Sequence, residues 1–423
     1  MLTRRELLAG AGSVGMAPLL SGRLAGAPVA TDWPQFRGPQ RDNTSKETGL
    51  ARKWPASGPN ALWSVPVEQG YAGPAIVGGR VYHHDYDSAK GEWCVNCRNL
   101  ADGKLVWQFR EAREIRPNHA ITRTVPAVDA RFVFSLDPKA VLHCLDVKTG
   151  KQLWRKSLVT DFKATIPSWY NGQCPLMEAD RIVIATGGAA ILVALDKATG
   201  KPIWQTPNPG GLLMSHCSVM PATLGGVKQY LYGTLKGPLG VSAADGKLLW
   251  EYPRKFNVAL APSPLAVDNE RVFMTGSYDA GSVMIRLTQA GGVWKAEPVF
   301  DFKMNEWNSE VHTPIVHKGM LFAVGKKKRG LFTCLSPDGK EVWTSEGKAS
   351  FGLGSYFLAD GMFFVMDGDS GKLRLVEAST TGYNELAAAQ VLAGQEVWGP
   401  MALSGGRLVL RDLTKMICVD LRG

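Results

Sequence analysis

Four groups of residues in this chain combine types and spacings that chemistry uses. Cys94 and Cys97 stand as CVNC, the spacing of a metal-binding or redox pair. His119, His216 and His312 would supply the three imidazoles of a zinc site if a fold gathered them. Glu306 and Glu310 could give oxygen ligands to calcium, although that ion takes about six to eight. Asp196, in ALDKATGKPIW (residues 194–204), is a carboxylate of the kind used as a general base. No His follows CVNC directly, which excludes the usual covalent haem attachment. The chain also shows no phosphate-binding loop, no dinucleotide fingerprint and no recognisable nucleophile–base–acid set.

The elements that must position these residues are repeats. ALDKATGKPIW has relatives in CRNLADGKLVW (97–107), CLDVKTGKQLW (144–154), SAADGKLLW (242–250) and CLSPDGKEVW (334–343). RLTQAGGVW, ending at Trp294, is a degenerate copy; VEASTTGYNEL (376–386) keeps the turn and loses the Trp; CVDLRG ends the chain. Trp107, Trp154, Trp204, Trp250, Trp294 and Trp343 follow one another at intervals of 44 to 50 residues. Between them recur eight apolar–turn–apolar runs, such as VPAVDARFVFSLD and SPLAVDNERVFMTGS. Each period therefore holds two hairpins, with Asn, Asp and Gly at the positive-φ turn positions. Runs such as IVIA and FFVM are apolar on both faces, as in strands buried from both sides.

Four-stranded units at a period of about 40–50 residues make a β-propeller. The expected fold is all-β: an eight-bladed propeller of four-stranded antiparallel blades over residues 61–423. The last blade lacks an outer strand, and ALWSVPV (61–67) is predicted to supply it by pairing with residues 417–421, closing the ring and removing two exposed edges. In the repeat, Asp146, Gly150, Asp196 and Gly200 are turn residues, while Trp154, Trp204, Trp250 and Trp343 lie flat between neighbouring blades. Cys97, Cys144, Cys334 and Cys418 occupy the position of Ala194 and read as small buried residues. Cys94 is an odd number of residues from Cys97, so the two thiols point to opposite faces of a strand and form no joint metal site. Helical periodicity is absent outside the N-terminus, apart from an ambiguous stretch at NELAAAQVLAG (384–394).

The first 30 residues, with Arg4-Arg5, a Gly/Ala/Leu run, Arg23 and an Ala-rich exit, have the pattern of a twin-arginine export signal. Residues 31–60 form an N-terminal arm. Loss of the signal takes the net charge from +10 to +8, a basic surface that in an exported chain suits acidic lipids or anionic polymers rather than nucleic acid, and the expected partner is an envelope protein or an anionic polymer. No stretch outside the signal is long enough to span a bilayer, and the protein is expected to be a periplasmic or secreted monomer.

Ala194, Asp196, Thr199, Gly200 and Trp204 match AxDxxTGxxxW in full, and on these residues the chain resembles the quinoprotein-like propellers of the pyrroloquinoline quinone (PQQ) repeat superfamily. DWPQFRGPQRDNTSKETGLARKWPASGPNALW (32–63) is similar to the start of exported bacterial PQQ-like repeat proteins, relatives of the propeller subunit of the outer-membrane β-barrel assembly machinery. The resemblance implies the propeller fold and two kinds of activity. One is a non-catalytic scaffold that binds other proteins through loops. The other is a dehydrogenase that uses PQQ with calcium, an Asp base, Glu and Asn metal ligands and a vicinal disulfide. Here no two cysteines are adjacent and no long insertion interrupts the blades, while no Cys follows the export signal as a lipid anchor needs. The expectation is a binding scaffold with no catalytic residue, metal or cofactor; PQQ-dependent oxidation of an alcohol or sugar is the alternative.

The loops entering each innermost strand share one face with those joining second and third strands, and together they surround the central funnel. Tyr71, His119, Arg123, Trp169, Tyr170, Asn171, His216, Trp307, Asn308, His312 and Trp398 fall in the first set and form the expected ligand-binding collar. The second set adds Lys326 to Arg329, Asp367 and Asp369. His143 and His317 are expected outside the collar, and His83 or His84 near it.

Overall fold

The computed structural model describes residues 32–423 except 117–118, 120, 258, 279, 304–305 and 326–329. The export-signal segment and the Lys326–Arg329 run lie outside the described residues. Eight four-stranded antiparallel sheets follow one another along the chain, at residues 75–112, 127–157, 176–207, 220–251, 265–302, 315–344, 356–390 and 402–420. The last sheet takes Asn60–Pro66 as its outermost strand, with Ala61 opposite Val419 and Ser64 opposite Ile417. This is the expected eight-bladed propeller, closed by its own N-terminal strand. The closing strand Lys415–Asp420 is hydrogen-bonded on both sides, and Met416, Cys418, Val419 and the adjoining Leu421 are buried.

The outer-strand motif works as a fastener between blades. Asp196 Oδ1 accepts from the Thr199 backbone N–H at 2.8 Å and from its hydroxyl at 2.7 Å, which shapes the turn and sets Gly200 at φ +67°. The face of Gly200 lies against the Trp154 ring of the preceding blade, and Trp154 Nε1 donates to the Lys197 carbonyl at 3.0 Å. The same lock joins Trp107 to Gly150 and Val147, and Trp63 to Gly103 and Leu100. Trp204 packs on Gly246, and Trp343 Nε1 donates to Ser379. Trp250 departs from the expectation: its N–H goes to Gln229 of its own blade, because the next blade replaces the Asp–Gly turn with a long hairpin, Ser282–Ala290 to Val293–Phe302. That longer hairpin also displaces the degenerate copy. Phe300, not Trp294, stands opposite Met284 at the register where Trp107 faces Cys97, and Phe300 and Phe302 cover Gly339 of the following blade.

Other local expectations change. NELAAAQVLAG contributes a strand, Glu385–Gln390, because its Ala face packs against Leu373 and Leu375. The one described helix, Leu158–Phe162, is capped by Ser157 and lies in a loop that the sequence left irregular. His83 and His84 sit within the strand Arg80–Asp87, fully buried, and His143 lies within Val141–Asp146. All seven cysteines are free and buried.

The arm decides the shape of the centre. Trp33 bonds to Ile76 of the first blade at 2.8 Å, and Pro34 O accepts from Val128 of the second at 2.8 Å. Arg41 donates to Pro175 O of the third at 2.8 Å and to Cys174 O at 3.2 Å. Arg37 donates to Thr313 O and Pro314 O of the sixth at 2.5 and 2.8 Å. Asn43 bonds to Tyr356 O of the seventh, and Glu47 accepts from Gly405 and Gly406 of the eighth at 2.9 and 2.6 Å. A segment bonded to the innermost strands of opposed blades must cross the central channel. Arg37 and Arg41 are buried there, and burial pulls both guanidinium pKa values down to about 10, so both stay charged at neutral pH. Three arm residues, Arg37, Arg41 and Asn43, hold the left-handed backbone conformation that this tight path needs.

Candidate functional site

Above the arm, the loops of the collar enclose a cavity of about 410 Å³. Its wall carries Tyr71, His119, Arg123, Trp169, His216, His312 and Trp398, seven of the eleven residues expected there, and its floor is Phe36 of the arm. The Arg41 guanidinium lies 5.5 Å from the Phe36 ring centre on the channel side. The funnel is thus a blind pocket within the size range of small-molecule sites.

Aromatic pairs build the wall. Tyr71 and Trp398 stack with ring centres 5.1 Å apart and planes 18° apart. Trp169 and Tyr278 stack at 6.3 Å and 18°, joining a loop of the third blade to one of the fifth across the mouth. Arg123 is held by a hydrogen bond to the Trp169 carbonyl, and the Tyr71 hydroxyl is bonded to Glu396 at the rim. His119, Trp169, Tyr170, Tyr278 and Glu396 all have φ between 47° and 70°. Non-glycine residues in that region each cost of order 1 kcal/mol or more. Five of them around one opening mark a surface whose shape is held against local preference.

The polar groups of the wall are committed to that shape. His216 Nε2 donates to Ser168 O at 2.8 Å and His312 Nε2 to Leu353 O at 3.2 Å. Burial lowers both imidazole pKa values to about 4, so both rings are neutral at physiological pH. The Glu310 carboxylate accepts from Tyr278 N at 3.3 Å and Asn308 Nδ2 at 3.4 Å. Cys174 is wholly buried, and burial raises its thiol pKa, keeping it protonated. Among the described residues no three His, Cys, Asp or Glu side chains converge as a metal site.

Four expected collar residues stand behind the wall. Tyr170 turns its hydroxyl to Arg116, accepting from its N–H at 3.0 Å. Asn171 is buried and donates to Gln173 O at 3.3 Å. Trp307 is buried edge-on to Phe273 at 5.7 Å, and Asn308 is buried beside Glu310. His83, His84, His143 and His317 stay outside the cavity, as do Glu306, Asp367 and Asp369. The sequence missed Phe36 and Tyr278. Phe36 sits in an arm with no periodicity. Tyr278 was findable, because GSYDAG joins second and third strands and so belongs to the funnel face by the propeller's own rule.

A family model described as outer membrane protein assembly factor BamB matches residues 91–336. The chain belongs to this PQQ-like repeat family. No curated protein matches it in sequence. Among solved structures it is similar to a europium-containing methanol dehydrogenase, at 13% identity and TM-score 0.67, over 91% of this chain and 90% of that one. The quinohemoprotein alcohol dehydrogenase ADHIIG from Pseudomonas putida HK5 matches at 13% identity and TM-score 0.64, over 93% and 80% of the two chains. BamB from Moraxella catarrhalis matches at 14% identity and TM-score 0.57, over 85% and 97%. At such identities these likenesses establish the propeller fold alone.

PQQ with calcium, the cofactor pair of the dehydrogenase alternative, can be tested against the lining of this PQQ-like propeller. Calcium takes about six to eight oxygens with carboxylates prominent among them. The described wall offers one carboxylate, Glu310, already accepting two hydrogen bonds. The cysteines are dispersed and free, so no vicinal disulfide forms. The described residues do not fit a calcium-bound quinone.

Proposed function

We propose that this protein is an exported binding propeller of the cell envelope that holds a partner segment or small ligand in its funnel without turning it over. The observation that carries the reading is the blind, aromatic-walled pocket floored by Phe36, in which His216, His312 and Glu310 serve as supports of the wall. Stacked pairs and a fixed Arg123 give flat apolar surface with a guanidinium for orientation, which is recognition chemistry. Membership of a family described as an assembly factor supports an envelope protein as the partner, and the net charge of +8 left after loss of residues 1–30 (+10 less the +2 of Arg4, Arg5, Arg23 and Glu6) supports an acidic one or an anionic polymer. The twin-arginine pattern supports delivery to the periplasm or beyond in folded form.

Capture of partners from envelope extract by wild type and by Trp169→Ala tests the reading. The variant should lose the partner and keep its melting temperature, since Trp169 is partly exposed at the mouth. Equal capture by both would show that the funnel is not the binding surface. Dye reduction in the presence of PQQ, calcium and alcohols or aldose sugars would overturn the non-catalytic reading outright.

A further inference from the structure

Among the described residues, the exposed large apolar side chains fall into two groups. Leu105, Val106, Leu153, Ile203, Leu248, Val293 and Val342 belong to outermost strands around the rim. The other four, Leu213 (57% exposed), Tyr278 (50%), Val159 (39%) and Leu235 (37%), lie on loops of the funnel face.

These four loops form one continuous crescent beside the funnel mouth. The helix Leu158–Phe162 bonds through Phe162 O to Ala189 N at 2.7 Å. Gly188 O next accepts from Asn208 Nδ2 at 2.9 Å, and Gly210 O from Lys236 Nζ at 3.1 Å. Leu235 O accepts from Phe256 N at 2.9 Å, and Arg254 reaches Ala280 O at 2.5 Å beside Tyr278. Exposed Lys163, Lys236 and Lys255 alternate with the apolar tips along this line. Asp161 is the one described acid in these loops, and it accepts from Ser157 N at 3.1 Å as part of the helix cap.

We propose that this crescent docks the propeller on an anionic lipid surface, with Val159, Leu213, Leu235 and Tyr278 entering the headgroup layer and the three lysines lying at the phosphates. A protein partner would call for a groove or a continuous patch. Single apolar side chains on separate loops, with lysines spaced between them, suit a fluid interface that closes around each tip. Docking in this way turns the funnel mouth toward the membrane. Each lysine near such a surface contributes about fivefold in affinity at physiological salt.

Co-sedimentation of the full chain with vesicles of phosphatidylcholine alone, and of phosphatidylcholine mixed with phosphatidylglycerol, tests this. All variants carry the same residues 1–31, so any binding by that segment is common to them. Wild type should bind the anionic vesicles selectively and be released by salt. Lys163→Gln, Lys236→Gln and Lys255→Gln together should weaken binding on the order of a hundredfold. Leu213→Ser with Leu235→Ser should weaken it further at every salt concentration. The control triple Lys104→Gln, Lys151→Gln and Lys201→Gln removes the same charge from turns on the opposite face and should bind like wild type. Absence of binding, equal binding to both vesicle types, or equal weakening by the two triples would each overturn the proposal.

Discussion

The lock between Trp154 and Gly200 can be measured as a coupling energy. A Cβ added at Gly200 would stand 2.8 Å from Cδ2 and Cε3 of Trp154, where ordinary contact begins near 3.4 Å. The ring would have to retreat by more than half an ångström, which also stretches its 3.0 Å bond to Lys197 O. Gly200→Ala at φ +67° costs about 1 kcal/mol in backbone strain, forced repacking about 1 kcal/mol, and the weakened hydrogen bond about 1 kcal/mol. The total of about 3 kcal/mol corresponds to a fall of ~4 °C in Tm, taking an unfolding entropy of about 2.1 cal/mol/K per residue over ~390 residues. In a Trp154→Leu background the clash and the hydrogen bond are gone, and Gly200→Ala should then cost about 1 kcal/mol. A double-mutant cycle followed by calorimetry and by urea unfolding should therefore show a coupling of about 2 kcal/mol. Additivity within about 0.5 kcal/mol would refute the blade-to-blade lock.

Deleting residues after Lys415 removes a strand whose buried apolar side chains contribute roughly 6–15 kcal/mol, comparable to the whole stability of a domain, so cooperative melting should be lost on circular dichroism. Phe300→Ala should lower Tm clearly more than Trp294→Ala, because Phe300 covers Gly339 of the next blade at the fastener register; the reverse order in calorimetry would restore Trp294 as the fastener. His216 and His312 titrate near 4 in the folded protein against about 6.5 in the unfolded chain, so the unfolded state takes up protons first as pH falls. Their contribution is constant above about pH 6.5 and is lost progressively toward pH 4; His312→Asn should flatten a plot of Tm against pH between about 7 and 4.5.

The blades were legible because each is specified locally. Asp196, Thr199 and Gly200 make their turn within one hairpin, and Trp204 is four residues further on, so spacing alone exposed the unit, its eightfold repetition and the missing strand that 61–67 supplies. Errors fell where a copy had drifted: at Trp294 a longer hairpin moved the fastener register to Phe300, which no spacing rule shows. Collar membership followed from loop order, which brought seven of eleven residues to the cavity, but not from side-chain direction. Trp307 and Asn308 share a loop with the wall residue His312 and still point into the protein, where Phe273 and Glu310 receive them.

What the sequence determined by itself was therefore the ring: repeated apolar runs, glycine turns and a tryptophan at most of the seams act between neighbours and need no distant information. The tertiary structure decided what lies inside it. Arg37 and Arg41 reach their partners across 133 to 277 residues of chain, bonding to Cys174, Pro175, Thr313 and Pro314 only once all the blades have placed those carbonyls around one axis. A floor and a wall assembled from one arm and nine loops of differing sequence carry no period, and so they became visible only when the ring had closed around them.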